Sequence, residues 1–334
     1  MLRLLIFVLS AALIWSVYWA VGSAGATAAV ERWLSERRAE GWLAEVDDVS
    51  TKGYPNRFDT TLTGVTLADP GTGLAWDAPF FQIFALSYKP GHIIAVWPNE
   101  QRLATPADKF DVKSSDMRAS LVTRPESNLS LERLALSATD LSVLRTGTMQ
   151  PAQLSALSLA AERIEQDQPV YRFGVSADGF APSLDWRARI DPGGNLPETL
   201  DALSLDVTVE FDTIWDLSAI EEARPQPRRI VLRLAEARWG RLELQAAGEL
   251  DVDETGTPRG DITIKARNWR EILRLSVDSG VLPAGLGQSI EDGLGLVAQL
   301  AGNPKTLDIP LGFRNGRIFL GPVPIGPSPN LSLR

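Results

Sequence analysis

Leu203-Ser204-Leu205-Asp206-Val207-Thr208-Val209-Glu210-Phe211 is the stretch that decides the fold class. Apolar and polar residues alternate through it without a fault. A period of two places one set on each face of a β-strand, whereas a helix would scatter both sets around its axis. Working outward, the same period recurs at Gln82–Tyr88, Leu129–Leu144, Tyr171–Ala177, Ile230–Ala235, Leu242–Val252, Asp261–Ala266, Leu307–Phe313 and Ile318–Ile325. Turn dipeptides such as Pro90-Gly91, Asp178-Gly179, Thr255-Gly256 and Asn315-Gly316 separate these runs. Strands joined by turns rather than by helical crossovers pair antiparallel.

Two helices interrupt the pattern late. Asn268 with Glu271 makes a capping-box-like start for Trp269–Ser279, which stops at Gly280. Leu286–Ala301 has helical spacing and ends at Gly302 and Pro304. The prolines from Pro322 to Pro329 predict a frayed tail. Earlier, Gly64 shifts the inward phase from Phe58 and Leu62 to Val65 and Leu67, which predicts a bulge.

The N-terminus has a different character. Arg3 precedes an uncharged run whose strongly apolar part, Leu4–Val21, is 18 residues long. At about 1.5 Å per residue, a helix of that length just matches the ~30 Å hydrocarbon core of a bilayer. Trp15, Tyr18 and Trp19 fall toward its far end, where an interfacial aromatic belt belongs. Ala24-Gly25-Ala26 is an acceptable cleavage site, so a removable signal competes with an uncleaved anchor, and the apolar length favours the anchor. Arg32, Arg37 and Arg38 follow the segment and oppose the positive-inside rule, but they alternate with Glu31, Glu36 and Glu40. The short basic start keeps the body extracytoplasmic.

The expected organisation is therefore mainly β. A membrane anchor or signal (1–25) and an amphipathic stalk helix (26–45) lead to an N-terminal β region (46–195). A C-terminal β region (196–334) contains helices at about 268–280 and 284–302. The sheet is expected to be extended, antiparallel and curled, as a groove or a sandwich.

Composition removes several functions. Net charge is −9, and the one basic cluster, Arg224, Arg228 and Arg229, is broken by Pro225 and Pro227, so nucleic acid is not an expected partner. The absence of cysteine excludes thiol catalysis, disulfides and thiolate metal sites. His92, the single histidine, follows a turn and lacks a second ligand or a catalytic partner in sequence. Asp251-Val252-Asp253-Glu254-Thr255-Gly256 opens like a calcium loop, but Ile262 stands where the bidentate glutamate belongs. No nucleophile elbow, phosphate loop or zinc helix occurs. The sequence reads as a non-enzyme without cofactor or metal.

Gly53-Tyr54-Pro55-Asn56-Arg57-Phe58 leads into Asp59-Thr60-Thr61-Leu62. With Trp239-Gly240, Asn268-Trp269 and Gly316-Arg317-Ile318-Phe319-Leu320-Gly321-Pro322, it resembles the bacterial family called domain of unknown function 2125. That resemblance implies a Gram-negative envelope protein, single-pass in the inner membrane with its body in the periplasm. It carries no catalytic residues over. The motif residues Gly53, Tyr54, Pro55, Arg57 and Phe58 also have a purely structural account as a turn and a strand start. The layout is further similar, in architecture only, to AsmA-like lipid-transfer proteins.

Two functional expectations result. In the first, the apolar strand face lines a groove for lipid or another amphiphile, with Leu203, Leu205, Val207, Val209 and Phe211 as candidates for its wall. In the second, the core is closed, and edge strands recruit other envelope proteins by strand addition.

Overall fold

A computed structural model describes residues 1–124, 128–165, 167–221, 223–280, 282–300, 305–321 and 323–333. Among these residues the chain is mainly β, with eighteen strands in one large antiparallel sheet. It divides into two compact units: Met1–Thr123 with Leu136–Gly147, and Arg124–Ala135 with Thr148–Arg334.

The first unit starts with α1 (Leu2–Ala39), a single uninterrupted helix. Its strands are β1 (Leu43–Glu45), β2 (Asp48–Lys52), β3 (Arg57–Asp69), β4 (Leu74–Leu86), β5 (Lys89–Val96), β6 (Glu100–Ala104), β7 (Lys109–Lys113) and β8 (Asp116–Arg124). The later part of β9 (Ser130–Arg145) completes it. β3 is central: β1 and β2 pair along one edge and β4 along the other. Leu62, Val65 and Ala78 form its buried centre, and Val30 of α1 packs on them. His92 lies inside β5 rather than in the turn, opposite Val122, and its Nε2 is 3.0 Å from Ser120 Oγ.

Gly64 shifts the phase as expected, but it adds no residue to the ladder. Thr63 faces Phe80 and Val65 faces Ala78, so β4 keeps step. A φ of +58° at Gly64 makes the change, letting Leu62 and Val65 point to the same core. A side chain there also meets the Asp47 carboxylate. Gly64→Ala should cost about 1–2 kcal/mol through the left-handed backbone. Faster amide exchange at Thr63 and Val65 would report that loss, and unchanged exchange would show that the row accepts a side chain.

The turn before β3 receives the apolar half of α1. Trp15 Nε1 donates to the Pro55 carbonyl (3.0 Å) and Trp19 Nε1 to the Arg57 carbonyl (2.8 Å). Tyr18 donates its hydroxyl to the Ser87 carbonyl, and Ser16 Oγ lies 2.8 Å from the Tyr54 hydroxyl. Gly22 passes so close to the Phe58 ring that a β-carbon there would collide with it. Thr27, Thr51 and Thr60 then form a hydroxyl chain between helix and strands.

The second unit is a meander. Its strands are β10 (Ala152–Arg163), β11 (Val170–Asp178), β12 (Ala202–Phe211), β13 (Pro227–Trp239), β14 (Leu242–Val252), β15 (Pro258–Arg267), β16 (Thr306–Arg314), β17 (Arg317–Leu320) and β18 (Val323–Pro327). Each pairs antiparallel with the next. The helices α2 (Leu184–Ile190), α3 (Ser218–Glu221), α4 (Trp269–Asp278) and α5 (Ala284–Leu300) are excursions between strands.

Apolar residues form rows across this meander. Leu159, Val175, Leu205, Ala235, Ala246, Ile264 and Ile309 face one another in register. The next row is Ala161, Phe173, Val207, Leu232, Gly248, Ile262 and Leu311. The step from Leu232 to Ala235 is a β-bulge that spends two residues against one on both sides of β13. It pushes Leu234 out of the apolar face to a position opposite Asp206, where it is 36% exposed.

Two sequence expectations fail here for visible reasons. Asn268 stands at the N-cap of α4, as expected, but its side chain makes no capping bond: its φ is +57° and its Nδ2 donates to the Arg241 carbonyl, while Glu271 pairs with the Arg241 guanidinium (2.7 Å). The tail is not frayed. The Leu331 and Leu333 N–H groups donate to the Gly256 carbonyl and Gln226 Oε1, and Asn330 Nδ2 donates to the Thr255 carbonyl. The expected end of the second helix at Gly302 and Pro304, and Pro322 in the tail, lie outside the described residues.

Candidate functional site

At the end of the second unit where β12 begins, the sheet face is roofed by helices. Leu203 of β12, Ala237 and Trp239 of β13 and Leu242 and Leu244 of β14 make the floor. Phe180, the α2 residues Trp186 and Ile190, and the α4 residues Ile272 and Leu275 make the walls. They line a half-open cleft of about 390 Å³, within the range of ~300–1,000 Å³ typical of small-molecule pockets.

Its polar groups are accounted for locally. Ser276 Oγ donates to the Ile272 carbonyl (2.9 Å) and Ser279 Oγ to the Ser276 carbonyl (3.2 Å), so both hydroxyls turn back on α4. Trp239 Nε1 donates to the Pro197 carbonyl (2.8 Å), leaving the indole to present only carbon. Glu243 is the single ionisable lining residue, and it bonds Gln245 (3.0 Å) and pairs with Arg267 (3.6 Å). Such walls offer mainly apolar contact area.

The floor is rigidly supported. Trp186 and Trp239 stack at 5.9 Å with 23° between their planes, and Phe180 adds a tilted contact to Trp186. Gly240 turns the chain after Trp239 at φ +58° and donates its N–H to Asp201 Oδ2 (2.7 Å). Leu196, Leu200, Trp239 and Leu242 form the buried cluster beneath. Next to it, Ala266, Trp269, Ala298 and Leu307 form a second cluster, which seats α4 and α5.

At the opposite end of the same face the arrangement is closed. Tyr171, Val209 and Phe211 are buried, and Leu131, Phe173, Val207, Trp215 and Ile230 pack around them. Tyr171 donates to the Leu131 carbonyl (3.4 Å) and accepts from the Trp215 N–H (3.2 Å). Burial pushes its phenol up, so it stays neutral across the physiological range. Between the closed end and the helix-roofed end, Val175, Leu205, Ala235, Ala246 and Ile264 remain half-buried, and Leu159 is 36% exposed.

The five groove candidates are thus distributed along the face. Leu203 lines the pocket, Leu205 sits in the half-buried row, and Val207, Val209 and Phe211 belong to the aromatic end. The opposite face of β12 is polar: Arg172 grips Asp206 through two hydrogen bonds (2.8 and 2.6 Å), which hold the Asp206 carboxyl below its usual range. The sequence did not single out α2. Its signals were Ser183 before the first turn, Asp185 within it and Arg187 and Arg189 near the end.

Elsewhere, Asp253 organises a hairpin turn. Its Oδ1 accepts from the Thr255 hydroxyl (2.6 Å), the Thr255 N–H (2.9 Å) and the Thr257 N–H (3.0 Å). The Thr255 hydroxyl is the main cause of its lowered pKa. Among the described residues no group of three or more His, Cys, Asp or Glu side chains is placed to hold a metal. Of the motif residues, Gly53 takes φ +106°, Tyr54 is exposed, Pro55 and Arg57 supply the carbonyls bonded by α1, and Phe58 is buried under Gly22.

No curated protein and no solved structure matches this chain. A family model described as an uncharacterized protein conserved in bacteria, DUF2125, matches residues 19–329, from the end of the apolar segment to β18. The chain belongs to the DUF2125 family.

Proposed function

We propose that this protein is an inner-membrane-anchored envelope protein, its body in the periplasm, that holds the apolar part of a lipid or another amphiphile on the face of its second unit. The observation that carries this reading is the half-open cleft of about 390 Å³ between sheet and helices, whose floor continues into a half-buried apolar row. An occupant would gain roughly 25 cal/mol for each Å² of apolar surface withdrawn from water. A chain too long for the pocket has Leu205, Ala235 and Ala246 to follow. In its architecture this arrangement resembles the AsmA-like groove, and it asks nothing of the chain as a catalyst.

The test is binding of a fluorescent long-chain fatty acid to the full-length protein, compared with Ala237→Trp. Ala237 has a small side chain on the pocket floor, and an indole there fills the space from the sheet side. Wild type is expected to bind saturably, with affinity falling at least about tenfold in the variant, equivalent to about 1.4 kcal/mol. Equal binding by the two, with unfolding midpoints matched, would remove the pocket from the function.

A further inference from the structure

α1 contains the chain's membrane-compatible segment, and its residues up to Trp15 are all exposed. Counting from Arg3, Trp15 lies twelve residues along the helix, about 18 Å at 1.5 Å per residue. The hydrocarbon core is about 30 Å thick, so the first unit grips the helix roughly 12 Å before the helix has crossed it. Tilting the helix shortens its vertical reach and widens that gap.

The gripping surface is suited to this position. Backbone polar groups in a lipid environment need partners, because water is not there to supply them. Three carbonyls at the turn 53–58 and at Ser87 have such partners: Pro55, Arg57 and Ser87 accept from Trp15, Trp19 and Tyr18. The Arg57 and Ser87 N–H groups donate to the Gly53 and Asn56 carbonyls (2.9 Å each). Tyr54 and Tyr88 are 56% and 65% exposed: Tyr54 keeps its hydroxyl on Ser16 and its ring edge-on to Trp19, Arg57 pairs with Asp59, and Lys89 follows Tyr88 at the hairpin tip. Aromatic rings with polar tips, flanked by cations on flexible stems, are the side chains that settle at a bilayer interface.

We propose that the turn 53–58 and the β4–β5 hairpin tip at Tyr88 are embedded in the membrane at the boundary between headgroups and acyl chains. The Gly-Tyr-Pro-x-Arg-Phe turn then has a double role. Its inner side receives α1, and its outer side meets lipid. The first unit is held against the bilayer at this end of β3 and β4, not suspended from a free stalk. The occupant is the lipid surface itself, because the exposed apolar helix runs straight into this patch.

The chain has no cysteine, so single replacements can be labelled cleanly. Tyr88→Cys and Lys89→Cys report on the tip, and Thr72→Cys reports on the exposed β3–β4 turn twelve strand residues away, about 40 Å. Each full-length variant carries an environment-sensitive fluorophore in vesicles of phosphatidylcholine and phosphatidylglycerol, with nitroxide either on the headgroup or high on the acyl chain. Both tip labels are expected to shift to the blue and to be quenched by either nitroxide, as for groups about 5–10 Å into the headgroup–acyl boundary. The Thr72 label should stay in water. The inference rests on α1 anchoring the chain, so flotation is scored first. Protein that fails to float with the vesicles overturns both the anchoring and the embedded turn. Protein that floats with its tip labels in water overturns the embedded turn alone. Tip labels shielded from water yet unquenched by lipid nitroxide would assign the patch to a protein contact and overturn it as well.

Discussion

Replacing Trp239 with alanine is expected to destabilise the second unit by about 3–5 kcal/mol, the cost typical of removing a buried aromatic side chain. Trp239 is 8% exposed and joins three parts of the structure. Its ring stacks on Trp186 and packs with Leu196, Leu200 and Leu242, and its Nε1 bonds the Pro197 carbonyl. Alanine removes the ring contacts and leaves a carbonyl without its donor. Trp239→Phe keeps most of the packing and gives up the hydrogen bond, so it should cost only about 1–3 kcal/mol. Two compact units make a single global transition unsafe to assume, and amide exchange in β13 and β14 is the appropriate measurement. Equal protection in wild type and Trp239→Ala would mean that the helices are held over the sheet by other contacts.

The second large effect is expected at Gly260. Its φ is +139°, and a β-carbon there would collide with the carbonyl oxygen of Glu249 on the paired strand. Backbone cannot swing aside as a side chain can, so Gly260→Val must part β14 from β15 or twist out of register. Strained backbone costs about 1–3 kcal/mol by itself, and broken ladder bonds add about 1 kcal/mol each. A total above about 3 kcal/mol is expected. The loss should appear as a lowered urea midpoint and as exchange spreading through Glu249–Val252. A midpoint within experimental error of wild type would contradict the close approach. Gly248, facing Ile262 one row along, makes a similar approach to the Asp261 carbonyl, so the two glycines together define how closely these strands meet.

Much of the fold was legible because strand alternation is a local signal. Leu203–Phe211 reads correctly as a one-faced strand, and the same rule finds β14, β15 and β16. The bulge in β13 was hidden for the same reason. Ile230, Leu232 and Leu234 look like one stripe in sequence, and only the neighbouring strands reveal that Ala235 takes the inward place. Asn268 and Glu271 have the residue types of a capping box, yet the Arg241 carbonyl and guanidinium compete for both side chains. The pocket was half legible. Leu203 is visible from alternation, whereas Trp186 and Ile190 arrive from α2, a helix too short for periodicity to announce. The Gly-Tyr-Pro-x-Arg-Phe turn is recognisable as a turn, but nothing local shows that Trp15 and Trp19 end on its carbonyls and Tyr18 on that of Ser87.

The bulge in β13 also bears on how such a chain can change length through descent. Insertions and deletions are tolerated in surface loops, but here the extra residue sits in the middle of a strand paired on both sides. Deleting Arg233 would restore a regular ladder, with Leu232 still opposite Val207, Leu234 opposite Asp206 and Ala235 opposite Leu205. Both ends of β13 would then stay in step with β12 and β14. A relative that lacks one residue at this point of β13 therefore keeps both ends of the apolar face, and the pocket floor from Ala235 to Trp239, in phase.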